Sequence, residues 1–102
     1  MKIPRHPTLL RRMRDARVKQ LLPRCPPLAA SLGQQRGGGW HVTLKEQGKT
    51  RTVYVPKDLT EEVKACIAEH RRLRNLLAEI TQLQLALIRV HRTDRARRGP
   101  RP

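Results

Sequence analysis

Cys66 and His70 are four residues apart, a spacing that places two metal ligands on one face of a helix. A zinc site needs further ligands, and the sequence offers no second pair, because Cys25 stands alone upstream. A thiol beside a half-buried histidine in a helical core is the interpretation we favour. The sequence therefore predicts no metal and no cofactor.

Catalytic motifs are also missing from the sequence. It contains no Walker glycine–lysine loop and no nucleophile elbow. The six acidic residues of segment 40–88 are scattered, whereas metal-dependent nucleases need clustered carboxylates. We therefore expect a protein that is not an enzyme.

Positive charge is the strongest chemical signal of the chain. The 102 residues contain 23 Lys and Arg against 8 Asp and Glu, a formal net charge of +15. Segment 1–24 holds eight basic residues and one acid, and segment 89–102 holds six arginines and one acid, whereas segment 40–88 has a net charge of only +2. Two cationic ends around a nearly balanced middle predict a scaffold that binds a polyanion, most simply duplex DNA.

The basic residues form three groups with alternative roles. The basic residues of the hairpin either contact phosphates or keep a solvated strand edge from aggregating. The basic residues after residue 88 form either a phosphate-binding arm or a soluble end. The apolar face of the N-terminal group is too short for membrane binding, so no membrane partner is expected. The predicted nucleic-acid-binding residues are Arg11, Arg12, Arg14, Arg17, Lys45, Lys49, Arg51, Lys57, Arg89, Arg92, Arg95, Arg97 and Arg98.

Trp40 and Tyr54 are the two aromatic residues of the chain. Aromatic rings stack on bases in proteins that bind single strands. In a chain without Phe they are more often the core of the hairpin against a helix, which is the interpretation we favour.

The elements that position these side chains can be read from apolar spacing. Segment 8–22 is typical of a short basic helix that Thr8 caps, and Pro and Gly residues indicate a linker up to residue 39. Alternation with period two predicts a hairpin over segment 40–55. A two-residue loop at Gln47-Gly48 would set Trp40 opposite Val55, whereas a bulge at Gly48 would shift this register by one residue, and both remain open.

A long helix should follow the hairpin, from about Leu59 to about Val90, because no Gly or Pro interrupts this segment. Its apolar residues recur at steps of three and four, as in a coiled-coil seam. The exposed remainder of the seam must pair with the 8–22 helix or with a second copy of the chain. The predicted helix-pairing residues are Leu73, Leu76, Ile80, Leu83 and Leu87.

The string Gly48-Lys-Thr-Arg-Thr-Val-Tyr-Val-Pro56, the following helix start and the segment 79–88 resemble an uncharacterised bacterial family of short basic proteins, classed as a domain of unknown function. The similarity covers roughly residues 40–91. Typical members carry a cysteine cluster before the hairpin and are found among mobile-element and transposase genes. Here Gln34-Gln-Arg-Gly-Gly-Gly39 takes the place of that cluster. The resemblance implies a hairpin followed by a long helix, and an accessory role beside a mobile-element enzyme.

These observations combine into an α+β fold of one small domain. We expect a basic segment with a short helix over residues 1–24, a Pro/Gly-rich linker over 25–39, a hairpin plus long amphipathic helix over 40–91, and a disordered Arg-rich tail over 92–102. The expected function is phosphate-contacting, sequence-nonspecific nucleic-acid binding. The alternatives are a helix-mediated interaction or homodimerisation module and a nonfunctional remnant of its family. Sparse cysteine and no signal peptide favour the cytoplasm.

Overall fold

The strands and helices follow the chain in an α+β order. The computed structural model describes residues 1–98, and side chains up to Arg95. Helix α1 spans Pro7–Lys19, strands β1, β2 and β3 span Ser31–Gln34, Trp40–Glu46 and Lys49–Val55, a 3-10 turn spans Lys57–Leu59, and helix α2 spans Thr60–Arg98. The strands form one antiparallel sheet in the order β1-β2-β3. The predicted α+β class, with a short N-terminal helix, a hairpin and a long C-terminal helix, is confirmed.

Two structural units divide these elements between them. The first unit, here called the helical unit, comprises residues 1–22 and the chain from Arg74 onward. The second, the sheet unit, comprises residues 23–73. Helix α2 therefore contributes residues 60–73, about a third of its length, to the sheet unit and the rest to the helical unit. Neither helix of residues 1–98 contains a stretch long and apolar enough to span a membrane.

The β2–β3 hairpin adopts the register that a two-residue loop predicts. Trp40 lies opposite Val55, and Val42 opposite Val53. The loop residues Gln47 and Gly48 have φ angles of 52° and 80°. Positive φ at both central positions is the pattern of a type I′ turn, whose twist matches that of the strands. The alternative with a bulge at Gly48 is excluded.

Strand β1 corrects the prediction of a linker over residues 25–39. Residues Ser31–Gln34 pair with β2, with Leu32 opposite Val42 and Gln34 opposite Trp40. Gly37 and Gly38 adopt φ angles of 92° and 94° in the connection to β2, so these glycines form a turn. A four-residue strand that contains Gly33 has too few alternating apolar positions to be recognised in the sequence.

The core of the sheet unit lies between one face of the sheet and the first half of α2. Val42, Val55 and Ile67 are buried at its centre. The partly buried residues packed around them are Leu28, Ala30, Leu32, Trp40 and Val63. Val63 and Ile67 are one helical turn apart, so the same face of α2 meets the sheet.

The bounds of both helices differ from the predicted bounds. Helix α1 begins at Pro7, after an N-cap at His6 without a side-chain hydrogen bond, so Thr8 is not the cap. Its last residue is Lys19, three residues before the predicted end. Proline suits the first helical position because the N–H that it lacks would have no partner there.

Helix α2 corrects the prediction of a disordered tail over residues 92–102 for the part up to Arg98. The helix continues to Arg98, which places Arg92, Arg95, Arg97 and Arg98 on helical backbone. Arginine and alanine favour helix, and the first helix-breaking residues are Gly99 and Pro100. Residues 99–102 lie outside the described part of the chain.

In the helical unit, α1 runs antiparallel to the second half of α2. Arg14 donates to Oε1 of Gln84 at 3.0 Å, and Arg17 to Oε2 of Glu79 at 3.1 Å. Leu10 of α1 and Leu83 of α2 are both fully buried, and Leu76 is 7% exposed. Of the two partners that the sequence left open for the helix seam, the N-terminal helix is the one the structure shows.

Candidate nucleic-acid interface

A groove in the helical unit brings cations from opposite ends of the sequence together. Its volume is about 390 Å³, and Arg11 and Arg14 of α1 line it together with His91 and Arg92 of α2. Asp94 is the acidic residue in its lining. Three of the predicted nucleic-acid-binding arginines therefore share one concave surface, which is suited to an anion.

The two structural units differ sharply in charge. Segments 1–22 and 74–102 contain fourteen Lys and Arg against three Asp and Glu, a net charge of +11. Segment 23–73 contains nine against five, a net charge of +4. Most of the excess charge thus belongs to the sequence of the helical unit.

Some of the predicted arginines are bound within the protein. Nε of Arg14 is 3.0 Å from Oδ1 of Asp15, and Nη1 of Arg14 donates to Oε1 of Gln84. Arg17 bonds Glu79 and the Met13 carbonyl, and its side chain is 22% exposed. Arg17 therefore holds α1 to α2. The helical-unit cations that are exposed and without a partner among residues 1–95 include Arg11, Arg12, Arg89, Arg92 and Arg95.

The hairpin cations do not form one strip. Lys45 lies on one face of the sheet, whereas Lys49 and Arg51 lie on the other, because side chains alternate along each strand. Nη1 of Arg51 is also 3.0 Å from Oε2 of Glu46. Lys57 follows β3 in the 3-10 turn and is exposed. The charge of the hairpin is therefore spread over both faces.

The two aromatic residues lie on opposite faces of the sheet. Trp40 packs against the Val42 core, and Nζ of Lys64 lies 4.9 Å from the centre of its ring. Tyr54 is 65% exposed and lies on the face that α2 does not cover. The prediction of a core residue is confirmed for Trp40 and wrong for Tyr54.

The cysteines are neighbours in the fold, which their spacing in the sequence does not reveal. Cys25 Sγ lies 3.7 Å from the carbonyl oxygen of Ala65, the residue that precedes Cys66. Burial, reinforced by Cys66, raises the pKa of the Cys25 thiol above its ordinary value. Among the described side chains, no three His, Cys, Asp or Glu residues are grouped to hold a metal ion. The pair is suited to thiol chemistry.

We expect diamide to convert Cys25 and Cys66 into an intramolecular disulfide. Both thiols lose their hydrogen, an S–S bond forms, and the diazene N=N bond is reduced to a hydrazine, so the protein mass falls by about 2 Da. The reaction should accelerate with pH, because the thiolate is the attacking species and the Cys25 pKa is raised. Mass spectrometry of the monomer, with Cys25→Ser as control, measures it. Disulfide-linked dimers as the main product would contradict the expectation.

The carboxylate of Glu69 fixes the segment before β1 to α2. It is 5% exposed and accepts bonds from the Arg72 guanidinium and from the backbone N–H of Arg24. The Arg72 bond, followed by the Arg24 bond, lowers the pKa of Glu69 to about 2. Sequence reasoning missed this residue, because its partner N–H group lies 45 positions away.

Comparison of the chain with protein-family models, with curated proteins and with solved structures found no match. The resemblance to a family of short basic bacterial proteins therefore stays a prediction.

Proposed function

We propose that this protein binds nucleic acid through its phosphates, with the helical unit as the main contact surface and duplex DNA as the preferred ligand. The observation that carries the proposal is the groove where Arg11 and Arg14 of α1 meet Arg92 of α2. A net charge of +11 in the sequence of this unit supports it. The binding is sequence-nonspecific, because contacts to phosphates carry no base information.

Duplex DNA suits this surface better than an isolated anion does. It carries one negative charge per roughly 1.7 Å of helix axis, so several separate cations can each neutralise a phosphate. Arg12, Arg89 and Arg95 are exposed in addition to the groove residues. Each contact releases a counterion, so affinity must fall steeply with salt.

Fluorescence anisotropy with a labelled duplex of 20 base pairs at 50–200 mM salt tests the proposal. If the five exposed arginines each neutralise one phosphate, log K should fall with log salt at a slope of about −4 to −5. That slope corresponds to a loss of roughly 500-fold across this range. No binding at 50 mM salt, or an affinity independent of salt, would refute nucleic-acid binding.

A pair of double variants locates the contact surface. Arg11→Gln with Arg92→Gln should reduce the magnitude of the slope by about 2, because two phosphate contacts are lost. Lys49→Gln with Lys57→Gln removes the same charge from the sheet unit, where both side chains are exposed. This control should leave the slope nearly unchanged. Equal losses in both variants would mean that the charge acts as a whole and that the groove is not the site.

A further inference from the structure

One face of the sheet lies opposite the face that packs against α2. Alternation along the strands places the residues of this surface, here called the open sheet face, opposite the Val42 core: Ser31, Gly33, His41, Thr43, Lys45, Thr50, Thr52 and Tyr54. Tyr54, Thr52, Thr50 and Lys45 are exposed. The surface thus combines hydroxyl groups, one cation and two rings.

The two rings lie on neighbouring strands at the same level. His41 pairs directly with Tyr54 on one side and with Gly33 on the other. A Cβ atom at Gly33 would lie 2.9 Å from Nε2 of His41, so the imidazole occupies the space that a side chain would fill. The absent side chain leaves room for the histidine ring over β1, on the side of β2 away from Tyr54. Nδ1 of His41 is buried, so Tyr54 is the exposed ring of this face.

An exposed tyrosine on a sheet is a natural stacking surface for an unpaired base. Every base has a π face, so stacking tolerates any sequence, in agreement with phosphate binding that reads none. Duplex bases are already stacked on each other and cannot use the ring. Lys45 lies on the same face four residues along β2 from His41, roughly 14 Å away, and provides positive charge for the backbone of the same strand.

We propose that the open sheet face is a second binding site, at which Tyr54 stacks an unpaired base of single-stranded nucleic acid while Lys45 contacts its backbone. The inference extends the proposed function, since it takes the ligand to be nucleic acid. It differs in the form of the ligand and in the residues that bind it. The occupant is a flexible strand, and the charge of the chain attracts it.

The experiment compares three labelled probes: oligo-dT, an abasic oligomer of equal length, and a duplex. Tyr54→Ala should weaken oligo-dT binding by about fivefold to 100-fold, the range found for losing one stacked base. The same variant should leave abasic and duplex binding unchanged, because both depend on phosphates alone. Tyr54→Phe keeps the ring and should bind oligo-dT as the unchanged protein does. Circular dichroism confirms that the variants fold, as expected for a side chain that is 65% exposed.

The outcomes separate this site from the groove. Unchanged oligo-dT affinity in Tyr54→Ala, or equal losses for oligo-dT and the abasic oligomer, would overturn the stacking site and leave duplex binding intact. Loss of a dimer in Tyr54→Ala, measured by sedimentation, would also overturn it, because a second copy would then cover the face. Absence of duplex binding together with a Tyr54-dependent oligo-dT complex would refute the groove and retain the stacking site.

Discussion

Replacing Leu83 with Asp is expected to destabilise the helical unit strongly. The Leu83 side chain is fully buried, as is that of Leu10 on α1. The change removes a buried apolar side chain and requires a carboxylate in its place, which together destabilise by at least about 3–5 kcal/mol. A small protein has a free energy of unfolding of roughly 5–15 kcal/mol, so a large part of the margin is lost. Urea unfolding followed by circular dichroism measures the effect.

Leu77→Asp is the matched control for Leu83→Asp. Leu77 lies on the same helix, is 54% exposed, and should tolerate the change within about 0.5 kcal/mol. Equal destabilisation by the two variants would contradict the packing of α1 on α2. Sedimentation of Leu77→Asp also addresses the helix-pairing alternative. A dimer that dissociates only in this variant would place the pairing surface on the exposed apolar residues of α2 beside the predicted seam.

Replacing Glu69 with Gln should produce the second large effect, and one that depends on pH. The carboxylate is nearly buried and accepts charge-assisted bonds from Arg72 and from a backbone N–H. Its folded-state pKa of about 2 lies below the ordinary value of 4.5. The carboxylate therefore contributes its full stability above about pH 4.5, and the contribution disappears as the pH falls towards 2.

Urea midpoints at several pH values check this expectation. Glu69→Gln should be clearly less stable than the unchanged protein at pH 6, and the difference should shrink as the pH approaches 2. Glu62→Gln, an exposed residue of the same helix, is the control and should behave as the unchanged protein does. If the difference in urea midpoint between Glu69→Gln and the unchanged protein stays constant from pH 6 to pH 2, Glu69 stabilises the fold through its shape and not through its charge.

The features that the sequence predicted are those that depend on near neighbours. Alternation across residues 40–55 and the Gln47-Gly48 pair determine the hairpin and its register, because a tight turn fixes which residues meet. The length of α2 follows from the absence of Gly and Pro before Gly99. The stopping point at residue 91 was wrong, because a run of arginines was interpreted as disorder although arginine favours helix.

The features that the sequence did not predict depend on distant partners. Strand β1 is short and contains Gly33, so only its pairing with β2 makes it a strand. The bond from the Arg24 N–H to Glu69 and the approach of Cys25 to the Ala65 carbonyl join residues forty or more positions apart. The groove arises because α1 packs antiparallel on the end of α2. The sequence predicted Arg11 and Arg92 individually as binding residues, but it did not predict that they line the same groove.

The charge of the helical unit also acts against its own folding. A net charge of +11 in the sequence of this unit means that Arg11, Arg12, Arg89, Arg92 and Arg95 repel one another whenever the unit is folded. Salt screens this repulsion and stabilises the unit, although the same salt weakens the binding of the unit to a phosphate backbone. A bound polyanion relieves the repulsion and adds its binding free energy to that of folding. At low salt, therefore, the affinity for nucleic acid is highest while the unbound helical unit is least stable.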